Sequence, residues 1–306
     1  MTRRVKVGTR ESELAIWQAS HVKTLLQECG LDADLVFIKS DGDLDTVTPL
    51  YELGVQGIFT KSLDVALLNG TVDIAVHSMK DVPTQPARGI RQAAVLKRAS
   101  YKDILVFKHE AEFLDNTHGE AIIATSSIRR IAQWTHRYPN HTMVNLRGNV
   151  NTRIRKVNES NWNGAIFAAA GVERINLRPS NSIDLDWMLP APAQGAIIVV
   201  CREDDYDMAE ACKELNDPQT ERCTKIERDF LRTLSGGCST PISALAIESE
   251  GNIVFKGSLC SVDGKEMMSI EKIFSIDSLD GGKHAANEIL KDATAQQILH
   301  TIRNAR

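Results

Sequence analysis

No apolar run in the 306 residues approaches the roughly 20 that a membrane helix needs, and Met1-Thr2-Arg3-Arg4 leads into a strand pattern instead of a signal h-region. Neither a membrane span nor secretion is expected, and the expected location is the cytoplasm. There is no CxxC and no Cys/His ligand spacing: Cys29, Cys201, Cys212, Cys223, Cys238 and Cys260 are scattered, which argues against a disulfide framework and against a zinc site, and no metal is expected. Aromatics are scarce at 5% and the net charge is -4, so the interleaved cationic and aromatic surface of a nucleic-acid binder is missing. "GVQGIF" lacks the GK[ST] ending of a P-loop, and no GxGxxG follows the first strand. No solenoid repeat or low-complexity tract appears.

What remains is an ordinary globular composition, 42% hydrophobic and 25% charged, in a chain long enough for two or three domains. The first half alternates β-rich runs with helical patterns, predicting α/β architecture with largely parallel strands. "VKVGT" (Val5 to Thr9) reads as a strand; Ser12 caps a helix that is predicted to turn Leu14, Trp17, Leu25 and Cys29 inward before Gly30 closes it. Strands follow at 34–38 and 73–78, with a helix from Thr60 to Gly70 between them. A second set has strands at 104–107, 121–124, 142–146 and 165–168, and helices at 128–137 and 150–158. The apolar strand "AIIVVC" (196–201) arrives after "LPAPAQG" and is predicted to return to the first sheet. Asp217-Pro218 starts a helix with Cys223, Ile226, Phe230 and Leu234 on one face; strands at 242–248, 253–259 and 268–276 and one last helix from about Gly282 complete a small α+β unit.

Three strand-to-helix junctions combine small hydroxyl residues with arginine: "GTRES", "ATSSIRR" and "LRGNVNTR". Ligands of open α/β sheets bind beyond the carboxyl ends of strands, where helix N-termini and arginine forks both favour anions. The pattern suits a ligand with several anionic groups, although any one arginine can equally be a solvated surface charge. For Arg129-Arg130 that reading is weaker, because cations at a helix start oppose its dipole unless an anion compensates. "HSMKDVP" ends a buried strand with Lys80 beside Asp81; the pair is either a structural turn or an acid able to stabilise a developing cation. In "SGGCSTP" Cys238 projects from a glycine-rich turn, and by spacing alone it is either an incidental thiol or a covalent site.

Taken in order, "TRESELAIWQA", "GIFTKSLDVALL", "DIAVHSMKDVP", "ATSSIRR", "LRGNVNTR", "AAAGVERI", "LPAPAQGA" and "GGCSTPI" resemble the porphobilinogen deaminase family over nearly the whole chain. The resemblance implies two periplasmic-binding-protein-like α/β domains flanking a cleft plus a small α+β C-terminal domain. The boundaries so implied are domain 1 at 1–98 plus about 195–216, domain 2 at 99–194 and domain 3 at 217–306. It implies a monomeric transferase that takes porphobilinogen, and neither nucleic acid nor membrane, and builds the linear tetrapyrrole hydroxymethylbilane in porphyrin biosynthesis, releasing ammonia. The work is done on a dipyrromethane cofactor joined by a thioether to the GGC cysteine, here Cys238. Asp81 takes the catalytic role; Arg10, Arg129, Arg130, Arg147, Arg153 and Arg174 bind pyrrole carboxylates, Ser12, Lys80, Ser126 and Ser127 add donors, and Ser78 and Gln194 line the same cleft. The chain departs from the family at Gln56, where lysine is common, at Ala124, and at Pro192-Ala193, where valine-glycine is common. An alternative reading is a non-catalytic periplasmic-binding-type module for a small carboxylate.

Overall fold

The computed structural model describes residues 4–39, 60–235 and 240–304, so the expectations attached to Gln56 and Cys238 lie outside the described residues. In chain order the elements begin with β1 (Val5–Thr9), α1 (Glu13–Glu28), β2 (Ala33–Phe37), α2 (Lys61–Leu68), β3 (Ile74–Ser78) and β4 (Ile90–Val95). There follow β5 (Asp103–Phe107), β6 (Ile122–Ala124), α3 (Ile128–Arg137), β7 (Thr142–Val144), α4 (Val150–Glu159), β8 (Gly164–Ala168), α5 (Ala169–Glu173) and β9 (Ser182–Asp184). The remainder is β10 (Ile197–Arg202), α6 (Tyr206–Ala211), α7 (Pro218–Thr233), β11 (Ile242–Ser249), β12 (Asn252–Cys260), β13 (Met267–Ser275), α8 (Gly281–Ile289) and α9 (Ala293–Asn304).

The described chain separates into two compact units, one of residues 4–39, 60–99 and 195–222, the other of 100–194 and 223–304. The first unit is built on a five-stranded sheet of order β2-β1-β3-β10-β4, in which β1, β2 and β3 are parallel and β10 runs antiparallel between β3 and β4. The second contains a sheet of order β7-β6-β8-β5-β9, with β5 antiparallel between β8 and β9. The two sheets therefore share one topology: β6, β7 and β8 answer to β1, β2 and β3, and β5 answers to β10. Chemistry-bearing residues after β1 and β3 in one sheet have topological counterparts after β6 and β8 in the other.

Apolar side chains explain the layers. In the first unit Val5, Val7, Ile74, Val76, Ile197 and Val199 meet Ala19, Val22 and Leu26 of α1 in one core, each fully buried aliphatic group contributing about 1.5–3 kcal/mol. The inward face of α1 differs from the one predicted: Ala15, Gln18, Ala19, Val22 and Leu26 are buried, Leu14 and Leu25 are half-buried, and Trp17 and Cys29 are exposed. The spacing 15, 19, 22, 26 keeps a stricter 3.6 period, and its two alanines let the helix lie close to the sheet. Trp17 instead stacks on His21, ring centroids 5.4 Å apart.

The second unit also holds the antiparallel sheet β11-β12-β13. Cys223, Ile226, Phe230 and Leu234 of α7 pack on it with residues of α8 and α9. The single terminal helix expected from Gly282 is two helices, because the chain turns at Leu290 to Asp292, where Asp292 Oδ1 accepts the Thr294 and Ala295 N–H groups and starts α9 afresh. Strands β4 and β9 and helix α6 were not evident in the sequence; all three are short, of three to six residues, and lack a clear period.

Candidate functional site

In the first unit the candidate residues gather beyond the carboxyl ends of β1 and β3. The register sets Val7 beside Ile74 and Gly8 beside Ala75, so both strands end at the same edge of the sheet. Arg10 follows β1, and Ser12 caps α1, its Oγ accepting the Ala15 N–H at 3.4 Å. Ser78 closes β3 and accepts a hydrogen bond from buried Gln18 at 2.9 Å. Lys80 and Asp81 lie in the short 3-10 turn Met79–Asp81, both half-buried, with Val82 N–H closing the turn on Met79 O at 3.2 Å. Among the described residues none donates a hydrogen bond to the Asp81 carboxylate or pairs with it.

His77, which the sequence marks as a strand-end histidine, is 6% exposed and its Nε2 has no partner among the described residues. Burial above all, and then the Arg10 charge, pushes its pKa down from 6.5 to about 3, so it is a neutral imidazole at working pH. The unfolded chain takes up this proton near pH 6.5 and the folded one only near 3. The unfolded form thus binds more protons between those values, and stability drops as pH falls through the window by roughly 1.4 kcal/mol per unit. Urea-unfolding free energies at pH 7 and pH 5 should accordingly differ by about 2 kcal/mol less in His77→Gln than in the parent. Equal differences would mean that the folded protein does carry that proton.

In the second unit the sites follow β6, β7 and β8. Ser126 Oγ lies 2.5 Å from Asn145 Oδ1 and 2.6 Å from Leu146 O and accepts the Leu146 N–H at 3.0 Å, tying the end of β6 to the end of β7. Ser127 is the residue before α3. Arg147 is buried beyond β7; Gly148 next to it has φ +114, and a Cβ there would sit 2.8 Å from Thr152 Cγ2, so the turn requires glycine. Asn149 caps α4, and Arg153 Nε donates to Gly148 O at 2.7 Å. Arg174 follows α5, half-buried, and burial pushes its pKa down to about 10 against the raising effect of Glu173.

Arg129 and Arg130 are 5% and 6% exposed, and the anion that offsets their position at a helix start is internal. It is Asp103, fully buried at the head of β5. Its Oδ2 accepts from Arg129 Nη2 at 2.7 Å; its Oδ1 accepts from Arg130 Nη2 at 2.7 Å, Arg130 Nε at 3.1 Å and Gln194 Nε2 at 2.9 Å. Gln194 is 1% exposed and divides its amide between Asp103 and Tyr101 O, which joins it to the arginine pair. Two guanidinium groups share one carboxylate, and Arg129 Nε has no partner among the described residues, so the cluster retains positive charge and a spare donor. Burial pushes the Arg129 pKa down, Asp103 opposes that, and Arg130 adds to it. No local pattern marks Asp103; the one signal for it in the sequence is the need of two arginines at a helix start for an acid elsewhere.

The family model described as "Porphobilinogen deaminase, dipyromethane cofactor binding domain" matches residues 5–210, and "Porphobilinogen deaminase, C-terminal domain" matches 221–291. The chain is 38% identical over 304 residues to porphobilinogen deaminase of Syntrophomonas wolfei, covering 98% of this chain and 99% of that one. It is 39% identical over 302 residues to the chloroplastic porphobilinogen deaminase of Pisum sativum (94% and 82%), and 40% over 280 residues to a probable porphobilinogen deaminase of Methanocaldococcus jannaschii (90% and 94%). A solved periplasmic substrate-binding protein of Coxiella burnetii aligns with 71% of this chain and 94% of its own at TM-score 0.45 and 16% identity.

Proposed function

The chain belongs to the porphobilinogen deaminase family, and from that premise we propose how its own residues divide the family's work. It is a transferase, a hydroxymethylbilane synthase, and its substrate is porphobilinogen. The family model spans the cofactor-binding region, and the C-terminal model spans the α+β part, which leaves the reversible carboxylate-binding module unfavoured.

The residues present fit a dipyrromethane. Each of its rings bears two carboxylates, and the buried Arg129–Arg130 pair has more positive charge than Asp103 neutralises, with Arg129 Nε lacking a partner among the described residues. When bound, the dipyrromethane supplies the carbon nucleophile on which rings are added, and Cys238 is its point of thioether attachment. Arg147, Arg153 and Arg174 in the second unit, and Arg10 with Ser12, Ser78 and Lys80 in the first, take the further acetate and propionate groups of substrate and chain; Ser126 and Ser127 add donors.

Asp81 carries the chemistry. As the aminomethyl nitrogen of porphobilinogen leaves, positive charge spreads over the substrate's pyrrole ring, and the Asp81 carboxylate accepts the ring N–H and stabilises that charge where it develops. The same oxygens then take the proton released from the ring carbon at which the new bond forms. The observation that carries this reading is the place of Asp81: a half-buried carboxylate with no partner among the described residues, at the end of β3, in the same strand-end cluster as Arg10 and Lys80. The reading includes a monomer acting in the cytoplasm without nucleic acid; the net charge of -4 supports the last of these, and among the described residues no helix is long and apolar enough to cross a membrane.

Intact-mass measurement of the purified protein tests the attachment. The parent should exceed its sequence mass by one dipyrromethane, and Cys238→Ser should return to the bare mass and lose activity. A parent at bare mass, or an adduct that survives Cys238→Ser, would overturn the assignment.

A further inference from the structure

Between Leu189 and Gln194 the chain has no regular structure, yet it is held from two sides by buried polar side chains. On one side is α3, where Gln133 Nε2 donates to Leu189 O and to Ser243 Oγ, both at 2.9 Å, and Gln133 Oε1 accepts the Leu189 N–H at 2.9 Å. Arg129 Nη1 donates to the same Leu189 O at 2.8 Å. On the other side is α7, where Glu227, 0% exposed, takes the Ala193 N–H at 2.6 Å with Oε2 and the Ala246 N–H at 2.8 Å with Oε1. At the end of the segment Gln194 bonds Asp103.

The geometry of the segment is enforced. Ala193 is fully buried at φ +63, a left-handed conformation that costs an alanine energy and persists only where surrounding bonds over-determine it. The bond to Glu227 is one such restraint. A buried carboxylate is itself costly unless its oxygens are well satisfied, and an apolar residue would fill the same core space without that cost. What the acid adds is direction: it binds one backbone N–H of the 189–194 segment and one of β11.

The connectivity gives this a consequence for the reaction. Helix α7 ends at Thr233 and β11 begins at Ile242, so Glu227 fastens together the two elements that flank residues 236–239. Through Ala193 it also fastens them to a segment whose last residue grips the aspartate that clamps Arg129 and Arg130. We propose that Glu227 and Gln133 are positioning residues for the reaction, fixing the flanks of the cofactor-bearing connection against the arginine pair that takes the anchored chain's carboxylates. The inference rests on the reading of Cys238 as the attachment point. Gln133 acts in parallel, joining α3, the segment and Ser243, which lies five residues after Cys238 in the chain.

Two near-isosteric variants of the full chain test it. Glu227→Gln keeps shape but turns one acceptor into a donor facing a backbone N–H; Gln133→Met keeps length and removes three hydrogen bonds. For each, cofactor content and enzyme-bound products are read by intact mass, and kcat, KM for porphobilinogen and Tm are measured. Both variants should carry the full cofactor mass, show kcat lowered at least tenfold per folded molecule with KM raised, and accumulate shorter bound chains during turnover. If Glu227→Gln does not fold, Gln133→Met decides alone. Turnover and KM within twofold of the parent per folded molecule, with only Tm lowered, would reduce both residues to structural roles and overturn the proposal. Failure of the underlying attachment would show separately, as bare mass in the parent.

Discussion

Asp81→Asn is expected to lower kcat by about 100-fold or more while the covalent cofactor mass stays in place. The substitution keeps shape and removes only the charge, and no described residue depends on that carboxylate for a hydrogen bond or ion pair. The turn it sits in is held by backbone, with Val82 N–H on Met79 O, so the fold and the arginine set should survive. The loss falls on the step in which positive charge develops on the substrate, where one pre-placed electrostatic group is typically worth two to three orders of magnitude, about 2.7–4 kcal/mol. Cofactor mass and kcat measured on one preparation separate the possibilities. Retained mass with kcat within tenfold of the parent would show that another acid serves.

Asp103→Asn should be the most destabilising single change at the site, costing about 3–5 kcal/mol, the range found when one partner of a buried ion pair is removed. The parent carboxylate accepts four N–H groups from Arg129, Arg130 and Gln194 in a fully buried position. An amide offers one oxygen and turns its NH2 against a guanidinium, leaving two buried cations facing each other without an anion. At roughly 2–4 °C per kcal/mol for a body of this size, Tm should fall by about 10 °C. Molecules that remain folded should show a raised KM, because the forks lose their orientation. Denaturant unfolding checks this, and a cost under 1 kcal/mol would mean that the arginines hold their places by packing alone.

The placement of much of the candidate site was legible because it is written in local patterns. "GTRES", "HSMKDVP" and "ATSSIRR" each sit where a strand ends, and that placement follows from apolar runs and capping residues within ten positions of chain. Helix α7 kept its predicted face, Cys223, Ile226, Phe230 and Leu234, because large apolar residues at 3.6 spacing admit no second solution. In α1 a Trp and a Cys competed with small alanines for the inward face, and closeness of approach to the sheet decided for the alanines. Ranking residues by hydrophobicity could not reveal that preference.

By itself the sequence determined the α/β alternation, the strand-end placement of arginine, serine and the Lys80–Asp81 pair, and, through ordered motifs, the family. Only the tertiary structure decided what lies behind those residues. Asp103 is 26 positions from Arg129 and 91 from Gln194, and Glu227 is 34 from Ala193, so no spacing rule joins them. They meet because the β5 and β8 registers and the packing of α3 and α7 bring distant chain segments within hydrogen-bond reach, where a buried charge must find its partner or cost the fold dearly. The arginine pair could be read from the sequence as an anion fork in kind; that it is already half neutralised, and held in place from within, is a property of the packed core.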